Sequence, residues 1–238
     1  MPLPQNTTGK IILIPSFLGE DDASIICDQV KTRITPLTEF IVESAKTARR
    51  YLRAVGYKKN FDTEVTIHEL DKHAERQNCE SLLHNVLRGT DCGLISEAGN
   101  PCIADPGHEI VAYAHKRNIQ VVPLVGPSSI LLALISSGFN GQQFSFHGYL
   151  PIQNPQRSQK IKSLENLSRS ATQIFMETPF RNQNMLDEIL KTCADETMLC
   201  VACDLTLPTE FIKTQTVKAW RQNKESFQKR YCIFLLGR

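Results

Sequence analysis

The sequence lacks any apolar run long enough to span a bilayer, which excludes a helical membrane segment. Its opening, MPLPQNTTGK, has neither the basic flank nor the apolar stretch of a signal peptide. The chain is therefore expected to be soluble and to stay in the cytoplasm. Phosphate-binding glycine loops are missing as well. No GxxxxGKS/T occurs and no GxGxxG opens a helix, which disfavours nucleotide triphosphatases and Rossmann dehydrogenases. The absence of HExxH and GxSxG weakens protease and esterase readings. Excess charge is also lacking: 27 Lys and Arg against 25 Asp and Glu leave a net charge of +2. Nothing global pulls such a chain toward nucleic acid.

Cysteine is plentiful, with eight residues at positions 27, 79, 92, 102, 193, 200, 203 and 232. Without an export signal they are expected to act as small buried hydrophobes. Cys200 and Cys203 form the one CxxC spacing, inside MLCVACDL, which reads as a strand interior. Residues three apart on a strand point to opposite faces, so neither a metal nor a redox site is expected there. Basic residues cluster at Lys46, Arg49, Arg50 and Arg53, continuing to Lys58 and Lys59, and again at Arg157, Lys160 and Lys162. On charge alone these read as solvated helix faces.

Apolar, β-rich runs alternate with longer amphipathic stretches, the pattern of βα units around a largely parallel sheet. Strands are expected at 11–14, 40–43, 91–96, 120–123, 172–177, 198–204 and 231–236. Helices are expected at 22–30, 45–54, 74–88, 109–117, 128–137 and 180–192. Gly56 and Gly138 follow helical runs as stop signals, and Pro127 and Pro179 sit where a first helical turn tolerates proline. LTLPTEFIKTQTV reads as antiparallel. The fold class is α/β, with an N-terminal domain over 1–123 and a C-terminal domain over 124–238.

The richest stretch is GLISEAGNPCIADPG, residues 93–107. An apolar run ends at Ser96 and opens into a loop with two glycines, two prolines and two carboxylates. In open α/β sheets, ligands bind at the carboxyl ends of strands. Gly99 and Gly107 allow close backbone approach or positive φ, and Pro101 and Pro106 stiffen the turn. With Glu97 and Asp105, the loop suits a small zwitterion or a cation; alternatively Asp105 caps a helix starting after Pro106.

SEAGNPCIADPG resembles the SDAGTPxISDPG signature of methyltransferases that modify a cytidine ribose 2′-hydroxyl of small-subunit ribosomal RNA, within the tetrapyrrole-methylase (class III) fold family. The likeness is collinear. VPLVGPSSILLALISSGF resembles VVPLPGPSAxxxALxxSGL, FSFHGYLP resembles FxFxGFLP, FMETPFR resembles FYESPHR, and IHE at 67–69 resembles YHE. Departures occur at IPSFLGEDD, residues 14–22, where the family has ATPIGNLxD, and at VESAK, residues 42–46, where it has AEDTR. Glu97 replaces an aspartate, and the extra C-terminal segment of longer relatives is not expected after the last strand.

The resemblance implies two α/β domains with an S-adenosylmethionine cleft between them. It implies cofactor contacts at Pro15, Ser96, Glu97, Ala98, Gly99, Ile103, Asp105, Val125, Gly126, Pro127, Ser128, Ser129, Tyr149 and Leu150, and no metal. A ribose acceptor needs a proton sink. Glu43, His68, Glu69 and Glu177 fall in matched motifs, and Glu43 and Glu177 are favoured as catalytic. RNA of the ribosomal small subunit is the expected substrate, and a homodimer the expected assembly. The alternatives are a methyltransferase for a tetrapyrrole or another small molecule, and a cofactor-binding paralogue without activity.

Overall fold

Ile11, Ile12 and Ile14 in the segment KIILI are all buried, as in a strand covered on both faces. This strand, β1 (Lys10–Ile14), is flanked by neighbours on either side in the first sheet. The computed structural model describes residues 8–19, 22–70, 77–222 and 225–238. Two compact units, Met1–Pro127 and Ser128–Arg238, make up the chain.

The first unit continues with α1 (Asp28–Ile34), β2 (Glu39–Val42), α2 (Ala45–Ala54), β3 (Thr66–Glu69), α3 (Cys79–Leu82), β4 (Cys92–Ile95), α4 (His108–Lys116) and β5 (Gln120–Pro123). The sheet has the order β3-β2-β4-β1-β5, and every neighbouring pair is parallel. Alternate residues of its strands feed two separate cores. Ile12, Ile14, Phe40 and Val42 pack with Val30, Tyr51 and Leu52 on one face. Ile11, Ile41, Cys92 and Leu94 pack with Leu83, Ile110 and Ala114 on the other. Fully burying each aliphatic side chain contributes about 1.5–3 kcal/mol, so the sheet is locked against register slip.

The second unit holds α5 (Ser129–Ser137), β6 (Phe144–Tyr149), α6 (Gln156–Leu167), β7 (Thr172–Met176), α7 (Asn182–Thr192), β8 (Met198–Cys203), β9 (Phe211–Thr216), α8 (Val217–Trp220) and β10 (Cys232–Gly237). Its sheet is mixed, in the order β6-β7-β10-β8-β9. Only β6 and β7 run parallel; β7, β10, β8 and β9 pair antiparallel in turn. β9 thus pairs as its Thr- and Pro-interrupted sequence suggests. Trp220, Phe227, Phe175 and Phe234 fill the core, and the Trp220 indole N–H donates to the Leu199 carbonyl at 2.9 Å.

Several expectations need correction. The helix expected at 22–30 is a 3-10 turn, Ala23–Ile25, capped by Asp22, followed by extended Ile26 and then α1. Of the helix expected at 74–88, residues 74–76 lie outside the described residues, and the rest is α3 plus a 3-10 turn, Val86–Arg88, ended by Gly89 at φ 106°. In the loop 14–22, Glu20 and Asp21 also lie outside the described residues. Strands β3 and β6 and helix α6 had no counterpart among the expected elements. Both strands are sheet edges with largely uncovered side chains, so they lack the apolar runs of inner strands. Helix α6 buries only Ile161, Leu164 and Glu165 of its twelve residues. Pro127 and Pro179 precede the N-caps, Ser128 and Arg181, instead of lying in the first turn.

The cysteines divide. Cys92, Cys193 and Cys200 are buried free thiols, but Cys203 and Cys232, register partners on β8 and β10, form a disulfide. The expectation of small buried hydrophobes fails at these two, which are paired, and at Cys27, which is exposed. Cys200 and Cys203 do not bond to each other; Cys203 belongs to the core face and Cys200 does not.

Candidate functional site

Register builds the site in the first unit. Ile14 on β1 and Val42 on β2 both align with Ile95 on β4. The next residues along each strand, Pro15, Glu43 and Ser96, therefore emerge side by side at the carboxyl edge of the sheet. Leu13 aligns with Pro123 on β5, which brings the 124–127 segment to the same edge. Leu124 donates its N–H to the Leu13 carbonyl at 3.0 Å.

The loop after β4 is locked to the loop after β1. Ser16 N–H donates to the Gly99 carbonyl at 2.8 Å, and Gly99 N–H donates to the Phe17 carbonyl at 3.1 Å. Ser16 Oγ donates to the Ser96 carbonyl at 3.1 Å. Asn100 Nδ2 ties the same loop to the Pro127 carbonyl at 3.0 Å. Gly126 is pressed against Pro15: a Cβ at Gly126 would stand 2.0 Å from the Pro15 Cβ. Gly99, at φ +67°, is required by its left-handed backbone, and a Cβ there would meet Leu18 at 3.3 Å. Gly99 thus has the positive φ expected of it. Its polar groups are spent on Phe17 and Ser16, and the glycine serves the loop's own shape.

Left-handed backbone recurs at Cys102 (φ 69°), Ala104 (φ 62°) and Gly107 (φ 120°). For residues with a Cβ this costs on the order of 1–3 kcal/mol each, a concentration of strain characteristic of binding loops. The loop delivers Asp105 beside Glu43 and Glu97. Glu97 N–H donates to Glu43 Oε1 at 3.2 Å, and Thr47 Oγ1 donates to Glu97 Oε1 at 2.7 Å. Burial, then the Glu43 carboxylate and the Glu97 carboxylate, push the Asp105 carboxyl up to about 7. Asp105 is not a helix cap: α4 is preceded by Gly107, and no side chain caps it. Ser96 is buried, and its Oγ has no hydrogen-bond partner. Ile103 and Val125 are exposed, and Glu97 and Ala98 are open to solvent.

His68 and Glu69 have structural partners. His68 Nε2 meets Glu39 Oε1 at 2.8 Å, and the Glu69 carboxylate accepts the Ala45 N–H at the start of α2. No group of His, Cys, Asp and Glu among the described residues could hold a metal ion.

In the second unit, Ser128 caps α5 by accepting from Leu131 N–H at 3.4 Å, and Ser129 begins the helix. Tyr149 ends β6 with its ring exposed, whereas Leu150 is packed in the core. Glu177 follows β7 and is buried. Its Oε1 accepts from Thr178 N–H and Arg181 NH2, both at 2.6 Å, while Oε2 is buried without a partner. Arg181 Nε and Asn182 Oδ1 are likewise buried and unpartnered. The sequence reading missed Ser16, Thr47 and Asn100. Their contacts reach 80, 50 and 27 residues along the chain, and nothing local signals them.

A family model described as Tetrapyrrole (Corrin/Porphyrin) Methylases matches residues 26–220. Curated relatives named ribosomal RNA small subunit methyltransferase I include one from Pasteurella multocida, 32% identical over 91% of this chain and 74% of its own length. The Vibrio cholerae relative is 34% identical over 65% of this chain, and there the match spans only 53% of the relative. The Escherichia coli relative is 26% identical over 97% of this chain and 78% of its own. Among solved structures, the methyltransferase CobJ aligns at TM-score 0.63 over 97% of this chain and 94% of its own, with 13% identity. The cobalt precorrin-4 methyltransferase CbiF aligns at 0.62 over 100% and 98%, also with 13% identity. These two likenesses establish the fold. No helix among the described residues is long and apolar enough to cross a membrane.

Proposed function

The chain belongs to the tetrapyrrole (corrin/porphyrin) methylase family, and on that premise we propose that it transfers a methyl group from S-adenosylmethionine to a ribose 2′-hydroxyl of small-subunit ribosomal RNA. The observation that carries the RNA substrate is the relative named ribosomal RNA small subunit methyltransferase I, at 32% identity over 91% of the chain; the ribose 2′-hydroxyl rests on the motif resemblance.

The residues at the sheet edge fit the cofactor. The buried, unpartnered Ser96 Oγ needs a polar partner. Asp105, crowded by Glu43 and Glu97, favours a positively charged ligand, which would relieve the repulsion among the three carboxylates. In the first unit the proposed contacts are Pro15, Ser96, Glu97, Ala98, Gly99, Ile103, Asp105, Val125, Gly126 and Pro127. In the second they are Ser128, Ser129, Tyr149 and Leu150.

When bound, S-adenosylmethionine supplies an electrophilic methyl group on a sulfonium. The chain's own work is then to align the acceptor oxygen and take up its proton. Glu43 is the first candidate for the proton, because it stands at the strand edge next to Asp105 and Glu97. Glu177 is the second, since one of its oxygens is already engaged by Thr178 and Arg181. We also propose that the protein works in the cytoplasm as a symmetric homodimer; sedimentation at the 26.8 kDa monomer mass would contradict the dimer. Deleting the gene should remove a 2′-O-methylated nucleoside from small-subunit RNA. Unchanged RNA with an altered small-molecule methyl pool would overturn the substrate.

A further inference from the structure

Helix α2 carries Lys46, Arg49, Arg50 and Arg53 and contains no acidic residue. At about 100° per residue, these four fall within a roughly 100° arc, facing away from the side that buries Ala48, Tyr51 and Leu52. The arrangement works against the helix. Spacings of three and four residues set like charges next to each other, and Lys46 lies in the first turn, at the positive end of the helix dipole. A face kept only for solvation gains by alternating the signs of its charges. Among the described residues, Lys46, Arg49, Arg53, Lys58 and Lys59 make no ion pair with a carboxylate. Of the carboxylates beyond the helix, Glu64 accepts from the Asn60 N–H at 2.7 Å.

The cations sit on a rigid base. The Arg53 guanidinium lies 4.2 Å from the Phe61 ring centroid and that of Arg49 lies 5.6 Å from it. Phe61 in turn stacks on Tyr57. Arg53 donates to the Tyr57 carbonyl at 2.6 Å and the Lys59 carbonyl at 3.0 Å, which fixes the loop bearing Lys58 and Lys59. The guanidiniums are thus ordered before any ligand arrives, which lowers the cost of binding. Planar, permanently charged guanidiniums match phosphate oxygens in geometry and charge.

We propose that this stripe, Lys46, Arg49, Arg50 and Arg53 with Lys58 and Lys59, is a docking surface for the phosphodiester backbone of RNA. The proposal rests on the reading above that RNA is the substrate. The stripe abuts the carboxylates, because α2 starts just past Glu43 and its Thr47 bonds to Glu97. Phosphates are drawn to the helix and repelled from the acidic strand edge. A bound strand is therefore turned so that its sugars, and not its phosphates, face Glu43.

The test measures binding of purified small-subunit ribosomal RNA by the full chain as KCl is varied, with methyl transfer and S-adenosylmethionine affinity measured in parallel. Lys46→Gln/Arg49→Gln should lower the slope of log affinity against log salt by about two, roughly one for each lost phosphate contact. KM for RNA should rise with kcat and cofactor affinity little changed. Lys191→Gln/Lys218→Gln, in the second unit, should match the wild type; an equal drop there would overturn the assignment as nonspecific. If the wild type methylates RNA but the α2 variant keeps its slope, the docking surface lies elsewhere and the proposed function stands. If the variant loses binding only to assembled small subunits and not to free RNA, the stripe receives a protein and the assignment fails. A wild type that binds no RNA at any salt concentration defeats both readings.

Discussion

The backbone amide of Glu97 donates to the carboxylate of Glu43 at 3.2 Å, joining residues 54 apart that each stand just past the end of a neighbouring strand. This bond holds the Glu43 carboxylate against the loop after β4. Glu43→Gln keeps an acceptor for that amide but cannot take up a proton. It should fold at least as stably as wild type and lose only modest cofactor affinity with one fewer negative charge beside Asp105, while kcat falls by about 10²–10⁴. A variant that folds, binds cofactor and turns over normally would remove Glu43 from the mechanism.

Asp105 makes the unliganded protein sensitive to pH. Its carboxyl is raised from 3.8 to about 7, chiefly by burial and then by Glu43 and Glu97. Between those values the folded chain holds a proton that the unfolded chain has released. Stability from this group is therefore present at low pH and lost as pH rises toward 7. Asp105→Asn should melt above the wild type at pH 8, and the gap should close by pH 4. S-adenosylmethionine, as a cation, should bind more weakly to the wild type below pH 7 than above it. A melting gap that does not vary with pH would show that Asp105 does not titrate in this range.

Gly126 and Pro15 pack with no room for a methyl group. Gly126→Ala would bring its Cβ to 2.0 Å from a rigid proline ring, so one loop must shift. Overpacking of this kind costs about 1–3 kcal/mol. For a chain of this size the melting temperature should fall by roughly 2–4 °C for each kcal/mol. Pairing it with Pro15→Gly should recover part of the loss, as measured by a double-mutant thermal cycle. A Gly126→Ala protein with unaltered melting would mean that the two loops are not held together.

In the second unit, Arg181→Ala leaves the buried Glu177 carboxylate with only the Thr178 amide as a partner. The loss should be about 2–3 kcal/mol, below that for a fully buried pair because the Arg181 side chain is 34% exposed. Urea unfolding checks this; a midpoint equal to that of wild type would show the pair to be energetically idle.

The sheet cores were legible because their residues announce themselves: KIILI, EFIV and MLCVAC are apolar runs of strand length. Gly138 and Gly56 likewise mark helix ends by chemistry that acts within a few residues. The edge strands β3 and β6 were not legible, since a strand with one neighbour and exposed side chains needs no apolar pattern. The disulfide between Cys203 and Cys232 depends on β8 and β10 pairing in one register, which no local spacing encodes. At the site, Glu97 and Asp105 stood out from their loop, but their crowding with Glu43 arises only when β2 and β4 lie side by side.

The most direct test of the account is methyl transfer by the purified chain from methyl-labelled S-adenosylmethionine to small-subunit ribosomal RNA, followed by complete digestion to nucleosides. The account predicts label in a single 2′-O-methylated nucleoside, lost in Glu43→Gln. Label confined to a base, or appearing only in a tetrapyrrole or another small molecule offered in competition, would contradict it.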